Sequence, residues 1–209
     1  MKVVLRILML IAIALLVYLC VQSILTPIDF KKQLETREHA IVASLIKIRE
    51  AQIGFKNVKG VYAANFDELK KFLTEEQLYF LTKEGELTDE QLKAGMTEQE
   101  AVKKGLIRRD TTWVLAKDTL LGRDFDVSLI GTVPGFSPES FTLDTATISS
   151  PSGYTVPVFQ STVSYDVYLQ GLDHQLVVNL KDKQKKLNRF LGLRVGSIEE
   201  INNNAGNWE

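Results

Sequence analysis

The sequence has little of what most enzymes use for chemistry. Its 209 residues include one cysteine and two histidines. Cys20 has no second thiol to pair with and no metal-ligating neighbour, so it carries neither an internal disulfide nor a metal motif. His39 lies between Glu38 and Ala40, and His174 stands in LDHQLV; no spacing ties either one to a nucleophile or to further metal ligands. The serines near the turns lack a nucleophile-elbow pattern, and no glycine-rich phosphate loop precedes a helix. Excess charge is also missing: 25 basic residues stand against 26 acidic ones, a formal net charge of −1. Nucleic-acid binding rests on basic neutralisation of phosphates, so this balance gives no reason to expect it. The nearest approach to a metal motif is the carboxylate pair Asp124 and Asp126 in GRDFDV, which suits a hard cation such as calcium. Two carboxylates without a fuller ligand loop are more simply turn chemistry. The expectation is a non-catalytic protein with no cofactor. A periplasmic hydrolase is the enzymatic alternative, and it requires His174 beside a carboxylate and a nucleophile.

Charge is absent altogether from Ile7 to Leu25 (ILMLIAIALLVYLCVQSIL). About 20 apolar residues are what a helix needs to cross a bilayer, so residues 1–25 read as a transmembrane anchor. Two other readings compete. A signal peptide could be cut after Ser23, with Val21 and Ser23 as the small residues. A lipoprotein would need small residues before Cys20, where the bulky Tyr18 and Leu19 stand. The uncleaved anchor is favoured because the run exceeds a usual signal core and a helix follows almost at once. Lys2 and Arg6 nearly balance Lys31, Lys32 and Arg37 across the span, and a short basic start before an apolar run puts the N-terminus in the cytoplasm. The expected location is the inner membrane, single-pass, with the C-terminal domain in the periplasm.

Residues 26–209 read as one α+β domain of ordinary size. Thr26, Pro27 and Asp29 form a helix-start signature, which predicts a bend or break between anchor and rod. Along the rod at 26–56, Phe30, Leu34, Ile41, Leu45, Ile48 and Phe55 recur at helical spacing, interrupted by Arg37 and Gln52. Gly54, Asn57 and Gly60 are its expected end. Capping signatures at Asn65/Glu68, Thr74/Gln77, Thr88/Gln91 and Thr97/Glu100 predict a string of short helices over 65–105. From 111 to 178 the composition turns to Thr, Val, Phe and Tyr. Candidate antiparallel strands are 111–116, 126–133, 140–148, 154–160 and 163–169, separated by turns such as PGFSPE and SSPSG. The alternation in FTLDTATI marks a sheet with one wetter face, and the rod is the natural cover for the other. Residues 179–209 hold a basic segment, a solvated face or a contact for anionic headgroups, and a polar tail. The tail closes with Trp208, which is tucked against its own domain or offered to a partner.

The order anchor, long amphipathic helix, Gly-Tyr turn (Gly60, Tyr62), short helix FDELKKFL and antiparallel strands resembles type IV pilins and the pseudopilins of type II secretion. The match runs over residues 7–73 by pattern and over the remainder only by class. That region of 7–73 includes LIKIREAQIGFKNVKGVYAANFDELKKFL. The ending GLRVGSIEEINNNAGNWE is also similar to an uncharacterised family of bacterial envelope proteins. Pilins carry a leader ending in glycine and a glutamate early in the mature chain; this sequence has neither in its apolar run. The resemblance therefore implies the pilin-like fold, a long amphipathic helix packed on an antiparallel sheet with a short-helix insert, and an envelope location. It does not extend to polymerisation. Two functions follow as expectations. One is a non-catalytic structural or interaction subunit of a cell-envelope or secretion assembly, whose partners are the inner membrane, other envelope or secretion proteins and copies of itself. The other is a tethered periplasmic ligand-binding or adaptor protein with an aromatic-lined pocket built from Tyr154, Tyr165 and Tyr168. Candidate interaction residues are Phe30, Leu34, Ile41, Leu45 and Trp208.

Overall fold

A computed structural model describes residues 2–85, 88, 95, 97–106, 108–149 and 153–209. The chain is α+β, with a long apolar N-terminal helix and antiparallel sheets. Helix α1 runs without interruption from Lys2 to Lys59 and carries Pro27 inside it. The predicted break at Pro27 is therefore absent. Thr26 does not cap: its hydroxyl donates back to Gln22 O at 2.8 Å instead of accepting from the next turn. A proline removes one helical hydrogen bond, whereas two new helix ends would leave up to eight backbone groups to satisfy, and continuity is the cheaper solution.

The chain forms two compact units, residues 1–49 with 131–209 and residues 50–130. In the first, β3 (Thr142–Ser149), β4 (Thr155–Ser164) and β5 (Gly192–Gly196) make a three-stranded antiparallel sheet in the order β3-β4-β5. Phe159, Ser161 and Val163 share one face of β4 and are buried, as are Ile41, Leu45 and Ile48 of α1. These side chains, with Phe141, Tyr168 and Val195, form the unit's core. The helical stripe expected from spacing is thus buried over its middle turns. Strand β5 was not expected from sequence. It is short, and its two glycines press on β4: a Cβ at Gly192 would lie 2.0 Å from Val163 O, and one at Gly196 2.2 Å from Phe159 O. Their φ values of +156° and +72° also suit glycine.

Two candidate strands take other forms. Residues 126–133 hold a short 3-10 turn, Val127–Leu129, capped by Asp126. Strand β4 takes in 155–160 and continues to Ser164, where the chain turns into α5, Tyr165–Tyr168. Ser164 accepts a hydrogen bond from Asp166 N–H, so the N-cap chemistry of Ser164 stops the strand. The basic segment folds as α6, His174–Lys186, with Asp173 capping its start and Lys183, Lys185 and Lys186 in the last turn, where cations favour the helix dipole.

The second unit holds α2 (Phe66–Glu75), the antiparallel pair β1 (Gln77–Glu84) with β2 (Arg108–Leu115), α3 (Glu98–Lys103) and α4 (Ala116–Leu120). Asn65 caps α2, and Thr97 with Glu100 closes a full capping box on α3, as their spacing predicts. The Thr74/Gln77 signature fails: Thr74 bonds back to Lys70 O inside α2, and Gln77 opens a strand. The apolar and aromatic run LYF favours a pleated surface, and Tyr79 pairs across the two strands with Trp113. Gln91 lies outside the described residues, and with it the Thr88/Gln91 signature. Gly54 does not end α1. It admits Leu120 of α4, whose Cδ1 would lie 2.4 Å from an added Cβ.

Candidate functional site

The two polar residues that interrupt the stripe of α1 prove to be its clips. Arg37 Nη1 donates to Tyr168 O at 2.7 Å and Gln170 O at 2.9 Å, so a cation satisfies the carbonyls at the end of α5. Its guanidinium also lies 5.3 Å from the centre of the Phe136 ring. Beside it, Glu38 accepts a hydrogen bond from the Tyr168 hydroxyl at 3.1 Å. Burial of Glu38 holds its carboxyl above the ordinary carboxylate range, and the Tyr168 bond opposes that in part. Burial likewise raises the Tyr168 phenol. In the second unit Gln52 is fully buried. Its amide donates to Ala63 O at 3.0 Å and accepts from Ala63 N–H at 2.9 Å, closing the reversal that follows α1.

The C-terminal tail covers the outer edge of β5. Asn203 and Asn204 take left-handed φ values of 53° and 60°, and Ala205 N–H returns to Asn202 O, which makes a type I′ reversal from the NNNA run. Gly196 N–H then donates to Ala205 O and Asn207 N–H to Arg194 O. The Asn207 side chain adds two more bonds, accepting from Arg194 N–H and donating to Gly192 O. The tail ends with Trp208 lying over Gly206, whose absent Cβ leaves the space: an added one would sit 2.4 Å from the indole. Glu209 pairs with Arg49 at 2.6 Å, and that guanidinium draws its carboxyl below the ordinary range.

Beside Trp208 opens a cavity of about 530 Å³, lined among others by Glu38, Tyr165, Arg189, Phe190, Leu193 and Arg194. Its wall follows from local sequence. At the end of α6, Asn188 is left-handed (φ 50°), with Asn188 N–H bonded to Lys185 O and Arg189 N–H to Gln184 O. This is a Schellman ending with asparagine in the glycine position, and it delivers Arg189 and Phe190 to the cavity. A second cavity, of about 650 Å³ and within the other unit, is lined by Gly54, Val58, Leu78, Tyr79, Trp113 and Leu120. Tyr79 and Trp113 stay 63% and 60% exposed there.

The residues singled out by sequence are scattered by the structure. Ile41 and Leu45 are fully buried in their own unit, whereas Phe30 and Leu34 are half-exposed on α1 and Trp208 is half-buried. The rings of Tyr165 and Tyr168 meet at a tilt of 55° with centres 5.6 Å apart, while Tyr154 is 75% exposed. His39 and His174 are both exposed. Asp126 accepts from Ser128 N–H at 2.9 Å, and this bond to the backbone pulls its carboxyl below the ordinary range. Among the described residues no group of three His, Cys, Asp or Glu side chains is placed to hold a metal ion. The pair Arg189 and Arg194 escaped sequence reading, because four residues separate them across a turn and a strand start. The first part of α1 is long and apolar enough to cross a membrane, and none of its apolar stretch is buried. Comparison with family models, with curated proteins and with solved structures finds no match for this chain.

Proposed function

We propose that this chain is a non-catalytic, pilin-like interaction subunit, anchored in the inner membrane by residues 1–25 with its C-terminal domain in the periplasm, and working within a cell-envelope or secretion assembly. One observation carries the reading: a single helix supplies both a bare, uncharged apolar stretch and, further along, the buried stripe Ile41, Leu45 and Ile48 of a unit closed by an antiparallel sheet. A helix apolar all round is stable when lipid or protein covers it. The long-helix-plus-sheet arrangement is the one that the sequence pattern of pilins and pseudopilins implies. Among the described residues strand β3 is the free edge of the sheet, since β5 is covered by the tail, and free edges invite pairing with another chain.

Crosslinking and blue-native electrophoresis of isolated membranes test the proposal. The expected result is a discrete complex much heavier than one 23.5 kDa chain, retained after mild detergent extraction. A monomer that no crosslinker extends would refute an assembly role. Protease added to spheroplasts should digest the C-terminal region, and its full protection would overturn the orientation.

A further inference from the structure

We propose that the cavity beside Trp208 binds a small organic anion, a carboxylate or phosphate monoester carried on an apolar body. The size fits, because about 530 Å³ falls within the roughly 300–1,000 Å³ typical of small-molecule sites. Arg189 and Arg194 are both among its lining residues, and among the described residues neither is in an ion pair with a carboxylate. Two acidic residues also line the cavity, and both are already engaged. Glu209 is held by Arg49, and Glu38 receives the Tyr168 hydroxyl. Planar guanidinium forks match carboxylate and phosphate oxygens in a way a lysine does not. The indole of Trp208, with Phe190 and Leu193, supplies the apolar wall for the body of such a ligand. This site is independent of the anchoring role.

The test follows Trp208 fluorescence in the full chain in detergent micelles, in a Trp113→Phe background so that one indole reports. Benzoate, inorganic phosphate and neutral benzamide are titrated separately. A saturable change with benzoate, with phosphate or with both, weakened roughly tenfold or more in the Arg189→Gln/Arg194→Gln double variant, supports the proposal. The anion that saturates identifies the headgroup. Overturning results are benzamide binding as well as benzoate, neither anion moving the signal, or binding unchanged in the double variant. Arg189→Gln alone guards against misfolding, since only the backbone N–H of Arg189 serves the turn; it too should weaken the anion that binds, and unchanged binding would count against the site.

Discussion

Replacing Gln52 with leucine should open the second unit at one identifiable place. The side chain is fully buried and its amide makes both hydrogen bonds to Ala63, which is itself fully buried. Leucine keeps similar bulk but leaves the Ala63 N–H and C=O without partners. Each buried unsatisfied group costs about 1–3 kcal/mol, so the pair costs about 2–5 kcal/mol after a small gain from the added apolar surface. A loss of about 2 kcal/mol speeds opening-limited exchange roughly 30-fold, and 5 kcal/mol several thousand-fold. Hydrogen exchange with mass spectrometry on peptides covering 60–70 of the full-length protein in micelles reads that change locally. Peptides from β4 and β5, in the other unit, serve as the internal control. If Gln52→Leu exchanges at the wild-type rate over 60–70, the buried amide is not what closes this reversal.

Glu38→Gln should stabilise the first unit at neutral pH. Burial raises the Glu38 pKa above its ordinary 4.5, so the folded state holds the proton more tightly and its contribution fades as pH rises through the raised value. Glutamine still accepts from Tyr168, and the melting temperature of the variant should exceed wild type at pH 8 and converge with it below pH 4.5. Gly206→Ala should expel the indole of Trp208 from its seat, read as a red-shifted Trp208 emission in the Trp113→Phe background. Gly54→Leu should push Leu120 away and lower the stability of the second unit by about 1–3 kcal/mol, the usual cost of overpacking, measurable by exchange over α4.

Local chemistry made part of this fold legible in the sequence. Asn65 with Glu68 and Thr97 with Glu100 needed only neighbours to act as caps, and the stripe Ile41, Leu45, Ile48 needed only helical spacing. What escaped depended on partners distant in sequence. Thr74 looked like a cap until β2 supplied a strand for Gln77 onward to pair with. Pro27 looked like a break because its local cost is visible, while the larger cost of two new helix ends is not. Arg37 and Gln52 looked like flaws in an apolar stripe, since their carbonyl partners at Tyr168, Gln170 and Ala63 belong to other segments. The Trp208 cavity shares that origin. Its two lining arginines come from a Schellman turn and a glycine-bounded strand, neither of which has a periodic signature.

Alkaline carbonate extraction of membranes, followed by intact mass of the protein in pellet and supernatant, tests the anchor most directly. The account predicts full-length chain, Ile7–Leu25 included, in the pellet. Chain that begins near Ile24 and leaves with the supernatant would contradict it.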